Sequence, residues 1–354
     1  MIKNVKFQTK FESLHLMNKS LTFSKYFNDW LYSPSGYYTQ YNPIGKEGDF
    51  YTSVSTSSFF GGTIGKRIVD SITSGFLPKD STIVEIGAHH GYLLADIIQF
   101  IYTLKPELLQ TLSFAIVERQ EHLKQHQIKY FKESFGDAIN LIHYQDVKEV
   151  ILDNAYVVAN EIFDAFECEL IYTNKNGTRQ QAMVTEHKIS FVECTDTYLN
   201  IMCDKYSIQK GEIALGYEEF AQTLCKNIKN FEFLSFDYGE KYARNDFSAR
   251  IYHKHKVFPL FDETIKLADH YKKSDITYDV NFSHLMDCFK EQNCQQIEFQ
   301  TQLKTLVEFG IHELLLILKE NADENSYLKE AQKVKTLLDP VGMGERFKAV
   351  IIRK

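Results

Sequence analysis

A chain of 354 residues is long enough for one large domain or two, and 44% hydrophobic with 14% aromatic residues supplies material for a sizeable core. The 40 Lys and Arg against 47 Asp and Glu leave a formal charge of −7, which argues against a general nucleic-acid binder. No apolar run approaches the roughly 18 residues of a membrane span, so neither nucleic acid nor membrane is expected among the partners.

The first residues, MIKNVKFQTKFESLHLMNKS, have neither an arginine nor a long apolar stretch. They read poorly as a signal or transit peptide, which makes the cytoplasm the default location. Residues 10–32 carry apolar side chains at helical spacing, among them Phe11, Leu14, Phe23, Phe27 and Leu31. Then SPSGYYTQYNPIGKEGDFYTS, Ser33 to Ser53, is rich in Gly, Pro and Tyr and reads as a long ordered loop. STIVEIG from Ser81 predicts a buried strand, and Leu93, Leu94, Ile97, Ile98 and Ile101 predict the helix after it. FAIVE (Phe114 to Glu118), INLIHYQ (Ile139 to Gln145), AYVVANE (Ala155 to Glu161) and FEFLSFDYG (Phe231 to Gly239) read as further strands, and a polar helix starts at Arg119. Between the last two lies ECELIYTNKNGTRQQAMVTEHKISFVEC, whose Asn-Gly turn suggests an antiparallel insertion, with a helix in GYEEFAQTLCKNIKN. QLKTLVEFGIHELLLILKE and SYLKEAQKVKTLL read as helices and ERFKAVIIRK as a final strand.

Strands alternating with helices predict an α/β fold, a doubly wound, mainly parallel Rossmann-like sheet. The expected division is a helical and loop extension over 1–76, a core over 77–165 and 230–354, and an inserted β-hairpin and helix over 166–229. The cysteines, Cys168, Cys194, Cys203, Cys225, Cys288 and Cys294, form no C-x-x-C pair, so no metal site is signalled and free thiols are expected.

In an open α/β sheet, ligands sit at the carboxyl ends of the strands. The stretch VEIGAHHGYLLADII, Val84 to Ile98, places Gly87 there. A dinucleotide fingerprint would need glycines at Gly87, His89 and Tyr92, and two are missing. S-adenosylmethionine has no phosphate and suits an E-x-G-x-G-x-G turn, of which Glu85, Gly87 and Gly91 are present while His89 replaces the middle glycine. Glu118 closes FAIVE where a carboxylate would meet the ribose, and Asp146 follows the next strand where a group near the adenine would lie. A simple tight turn at Gly87 and Gly91 is the alternative reading, and His89 would be strained if the turn demands positive φ.

Around this loop stand GYY (Gly36 to Tyr38), GKEGDFYTS (Gly45 to Ser53), FFGGTIG (Phe59 to Gly65), VVANEIFDAF (Val157 to Phe166), DYGE (Asp237 to Glu240), DITYDVNFSHL (Asp275 to Leu285) and GMGERFK (Gly342 to Lys348). In this order the chain, from about residue 20 onward, resembles the MidA family. The resemblance implies a class I S-adenosylmethionine-dependent methyltransferase fold and transfer to a protein arginine, the activity attributed to the mitochondrial members. The sequence departs from the family pattern at His89, and at SVSTS after Thr52 where T-x-P-E-I-S is usual.

ANEIFDAF then offers the chemistry. Asn160 and Glu161 end the fourth strand, and Asp164, expected on a first helical turn, follows at a spacing that puts both carboxylates on one side. A carboxylate pair can grip a guanidinium bidentately and aim one nitrogen at a methyl group. Asp49 in GDF and Asp237 in DYG are further substrate-binding candidates, though either could hold loop backbone. A protein substrate is the expected partner, and a homodimer is compatible with the sequence. A methyltransferase fold without catalysis, acting as an assembly scaffold, and a small-molecule methyltransferase are the alternatives. The H-x-H of YHKHK (His253, His255) lacks further ligands and is discounted as a metal site.

Overall fold

The computed structural model describes residues 20–40, 52–294 and 296–354. The chain enters through β1 (Leu21–Thr22) and α1 (Phe23–Tyr32), where Thr22 caps the helix by accepting from the Lys25 amide. The expected helix therefore begins later than its apolar spacing suggested. Residues 20–22 are extended, β1 pairs with Val184 and Met183, and residues 10–19 lie outside the described part. Of the expected loop, 41–51 also lies outside, and Ser53–Thr56 is a single helical turn closed by a capping box between Thr52 and Ser55.

The core follows in order. It comprises α2 (Ser58–Thr73), β2 (Thr82–Ile86), α3 (Tyr92–Leu104), β3 (Ser113–Val117), α4 (Glu121–Phe135), β4 (Leu141–Tyr144) and β5 (Leu152–Asn160). The next segment builds β6 (Cys168–Thr173), β7 (Arg179–Thr185), β8 (Lys188–Glu193), α5 (Thr197–Tyr206) and β9 (Lys210–Ala214). After α6 (Tyr217–Asn227) the chain returns through the long β10 (Ile228–Glu240). A hairpin of β11 (Arg250–His253) and β12 (Lys256–Pro259) precedes β13 (Asp275–Thr277), β14 (Val280–Asn281) and α7 (Phe282–Glu291). The end is β15 (Gln296–Thr301), α8 (Gln302–Glu308), α9 (Ile311–Asn321), α10 (Glu324–Leu338) and β16 (Phe347–Arg353).

The main sheet is eight-stranded, ordered β15-β16-β10-β5-β2-β3-β4, with β14 alongside β10. Its central pairs β10–β5, β5–β2, β2–β3 and β3–β4 are parallel, while β16 inserts antiparallel between β10 and β15. Alternation along each strand sends side chains to opposite faces. Val84 and Ile86 join a core shared with α1, α6 and α7, whereas Ile83 joins one shared with α2, α3 and α9. Both faces are covered, which is why the strands read as nearly continuous apolar runs.

The insertion is larger than a hairpin and helix. β6, β7, β8 and β9, joined by β1 at the edge, make a five-stranded antiparallel sheet. The Asn-Gly turn does connect β6 to β7, with the Asn174 side chain accepting from the Asn176 and Thr178 amides. The long C-terminal helical run is broken at Gly310, φ +88°, into α8 and α9. His253 and His255 belong to the tight β11–β12 hairpin, where Lys254 and His255 take positive φ. Among the described residues no helix is long and apolar enough to cross a membrane.

Candidate functional site

β2 runs out of the sheet into Gly87, whose φ is +73° and whose amide donates to the Val117 carbonyl at 3.1 Å. A Cβ at Gly87 would lie 2.8 Å from Ile162 Cγ2, so both the dihedral and the space demand glycine. His89 takes φ +47°, the left-handed region in which a non-glycine residue is strained. The strain is held by Gln127, a fully buried side chain of α4 that donates to the His89 carbonyl at 2.7 Å. Gln127 Oε1 lies 3.0 Å from His143 Nε2 in β4, and its amide lies near enough to Glu118 to favour the ionised carboxylate. One buried amide thus ties the loop to β4. Histidine is tolerated here because the loop keeps the turn that glycine would have taken.

Above the carboxyl ends of β2, β3, β4 and β5 lies a cavity of about 800 Å³. Glu85, Gly87, His89, Glu118, Asp146, Asn160, Glu161 and Asp164 all line it. Two of the sequence candidates are placed elsewhere. Gly91, φ +81°, lies outside the cavity wall at the start of α3, and a Cβ there would meet Phe131 at 3.0 Å, so it serves the turn and the packing of α4. Asp237 is fully buried beneath the wall, one oxygen accepting from the Phe163 and Asp164 amides and the other from the Tyr238 amide. It lies outside the wall and braces the loop carrying Asp164, because both of its oxygens are engaged by backbone N–H groups. Asp49 lies outside the described residues.

At the loop end of the cavity, Glu85 accepts from the Leu94 amide at 3.1 Å in the first turn of α3, where orphan N–H groups await an acceptor. Burial nevertheless raises its carboxyl to about 8. Glu118 sits just past β3, with Oε1 accepting from the Gln120 amide at 2.9 Å, and burial raises it as well. Asp146 is exposed at the rim, where it caps a short turn by accepting from the Lys148 amide at 2.9 Å.

At the other end the cavity is acidic. Glu161 follows β5 in the left-handed region, φ +52°, with its amide donating to the Phe236 carbonyl at 2.8 Å. Its carboxylate accepts from Asn160 Nδ2 at 2.9 Å. Burial, and then the negative charge of Asp164, push Glu161 up to about 8. Asp164 lies in a 3-10 turn, Phe163–Ala165, not at the head of an α-helix, and is 5% exposed. Burial, then Asp237 and Asp275, hold it well above the usual carboxylate range. Asp275 of β13, a wall residue that the sequence did not single out, completes the acidic end with Tyr38, Tyr238 and Tyr252 beside it. Tyr37 and Tyr38 of SGYYTQY therefore reach the cavity, as do Thr52, Val54 and Ser55 from the segment that departs from the family pattern, while Tyr41 lies outside the described residues. Asn160 Oδ1 and Thr277 Oγ1 are buried in the same wall with no hydrogen-bond partner among the described residues. Such groups are costly unless a ligand or water satisfies them.

The fold is that of a crystal structure of a Burkholderia thailandensis protein bound to S-adenosyl-homocysteine. The two share 20% identity and a TM-score of 0.82 over 99% of this chain and 91% of that one. Among proteins of known name, the chain is similar to the rat "Protein arginine methyltransferase NDUFAF7, mitochondrial", 24% identical across 94% of this chain and 82% of the rat protein. The mouse protein of the same name is 27% identical with the same shares covered. These relatives are named as mitochondrial proteins, which overturns the cytoplasmic location expected from the N-terminal composition. The family model described as "Putative S-adenosyl-L-methionine-dependent methyltransferase" matches residues 63–300, which is most of the chain and spans β2 to β15. The chain belongs to this family, the MidA methyltransferases, and is an S-adenosylmethionine-dependent enzyme.

Proposed function

We propose that the enzyme methylates the guanidinium of a protein arginine, and that the observation carrying this is the acidic end of the cavity. Glu161, Asp164 and Asp275 line one wall, opening onto the same space as the glycine loop. Burial first, and then the neighbouring acids, hold Glu161 and Asp164 above the usual carboxylate range, with Asp275 beside them. A cation placed among them would restore their ionisation and gain charge-assisted hydrogen bonds. A guanidinium, charged throughout the physiological range with a planar fork of donors, matches that demand better than a neutral acceptor. The arginine methyltransferase names of the rat and mouse relatives support the same class of substrate.

The residues at the loop end fit S-adenosylmethionine. Gly87 leaves backbone room, Glu118 offers its second oxygen to ribose hydroxyls, Asp146 stands at the rim on the adenine side, and Asn160 Oδ1 awaits a donor. Gln127 holds His89 and His143 in one register. When bound, S-adenosylmethionine supplies a methyl group on a sulfonium, activated for in-line attack. Glu161, braced by Asn160, orients one guanidinium nitrogen towards that methyl and accepts the proton that the nitrogen sheds. Asp164 balances the charge on the remaining nitrogens, and the tyrosines exclude water.

Incubation with methyl-labelled S-adenosylmethionine and a mitochondrial protein extract tests the reading. Acid hydrolysis should release label as methylarginine. Label confined to the small-molecule fraction would replace it with a metabolite acceptor, and no label from protein that binds S-adenosylhomocysteine would favour a scaffold.

A further inference from the structure

Away from the cavity, α6 and α7 pack together and bring three donor types to one point. His284 and Cys288, at i and i+4, share one face of α7, the spacing with which helices present paired metal ligands. Glu218, in the first turn of α6, faces them. One oxygen, nitrogen and sulfur donor from these residues all lie within 4.8 Å of one another. His284 Nε2 is 2.8 Å from Glu218 Oε1, which also accepts from the Tyr198 hydroxyl at 2.7 Å. The imidazole is fixed between the rings of Tyr206 and Tyr217, at 5.4 and 5.0 Å. His284 and Cys288 are buried, while the Glu218 side chain is 40% exposed and gives access from solvent.

We infer that Glu218, His284 and Cys288 form a binding site for a zinc-class divalent cation. A thiolate, an imidazole and a carboxylate are the donors zinc accepts, and three protein ligands leave a fourth position for water. Zinc–nitrogen and zinc–oxygen bonds of about 2.0–2.2 Å in a tetrahedron set those donors roughly 3.3 Å apart. The half-exposed Glu218 would move back about half an ångström from its contact with His284, and a Zn–S bond of about 2.3 Å would bring Cys288 Sγ, now within 4.8 Å of both, to roughly 3.6 Å from them. The flanking Tyr198 hydroxyl would then orient the ligating carboxylate, as partners of metal ligands commonly do. Binding releases one proton, from the Cys288 thiol, and involves no change of oxidation state. Its consequence is a clamp between α7 and α6, the helix whose Glu219, Phe220 and Thr223 line the donor cavity.

The test uses the full-length, tag-free protein, the cation alone as probe, and elemental analysis after dialysis. One equivalent of zinc is expected, and cobalt(II) in its place should give a thiolate-to-cobalt charge-transfer band in the near ultraviolet. Cys288→Ser should abolish the band. Glu218→Gln, at the exposed arm and so tolerated by the fold, should weaken zinc by about tenfold or more. Failure to take up zinc or cobalt overturns the site, and so does a cobalt–thiolate band that persists unchanged in Cys288→Ser.

Discussion

Replacing Glu161 by glutamine removes one charge at the acidic end of the cavity while leaving the Oε1 acceptor for Asn160 in place. Two effects of opposite sign follow. In the free enzyme the carboxyl is raised to about 8, chiefly by burial. A raised carboxyl keeps its proton in the folded state, so its contribution to stability is complete below the unfolded value and is lost as pH climbs towards 8. Glutamine carries no such dependence, and at pH 8.5 the free variant should be more stable than the parent, by an amount on the order of a few kcal/mol. Substrate binding runs the other way. A carboxylate–guanidinium contact at about 4 Å and an effective dielectric near 20 is worth about 4 kcal/mol before desolvation, and charge-assisted hydrogen bonds net about 1.5–3 kcal/mol. Taking about 2–4 kcal/mol, kcat/KM for an arginine acceptor should fall roughly 30- to 1000-fold. S-adenosylhomocysteine, bound at the loop end, should keep its affinity within about twofold, since only an interaction with the acceptor is lost. Labelled-methyl transfer, calorimetric titration and thermal unfolding at pH 6 and 8.5 measure these quantities. Turnover within a few-fold of the parent, or an equal loss of donor binding, would refute the assignment of Glu161 to the acceptor.

Glu118→Ala should weaken S-adenosylhomocysteine about tenfold or more by calorimetry, with fold intact by circular dichroism, because it removes a charged hydrogen-bond acceptor for the ribose; unchanged affinity would remove Glu118 from the donor site. Because the guanidinium stays charged while Glu161 must ionise to hold it, acceptor KM should fall as pH rises from 6.5 to 8.5 and level off above about 8, and a flat profile would contradict this. Gly87→Ala faces Ile162 at 2.8 Å and a positive φ, so donor affinity and melting temperature should both drop; a variant that binds and melts like the parent would show that the loop tolerates a Cβ. Glu232, fully buried between Arg67 and Arg353 at 2.6 and 2.7 Å, should cost up to about 3–5 kcal/mol when replaced by alanine, measured by denaturant unfolding, since two partly buried cations lose their partner; a loss below about 1 kcal/mol would mean water takes its place.

Much of the core was legible because a strand buried on both faces leaves a continuous apolar run, and VEIGAHHG shows where such a run meets its turn. The helix expected over residues 10–32 was harder to bound. Apolar residues that pack a helix and those that pack an edge strand look alike, and only pairing with Val184 makes Leu21 extended. Gln127 could not be found, since a lone glutamine on a polar helix has no signature until the His89 carbonyl and His143 surround it. Nor could Gly91 be separated from Gly87, because each reads as a turn glycine and only the position of Phe131 sends one out of the cavity wall. The Glu218, His284 and Cys288 group was invisible for a related reason. Two of its three residues are a helical i, i+4 pair, and the third comes from another helix.

By itself, then, the sequence determined the order of the central strands and helices of the main sheet, the glycine turn at the end of β2, and the acids at the ends of β2, β3 and β5. These follow from local periodicity and turn chemistry, which neighbouring residues decide. Only the tertiary structure decided that Asp275 joins Glu161 and Asp164, that Asp237 serves the backbone instead of the wall, and that His89 is held at positive φ. Each depends on groups distant in the chain whose burial and charge act on one another across space, and no local pattern encodes that.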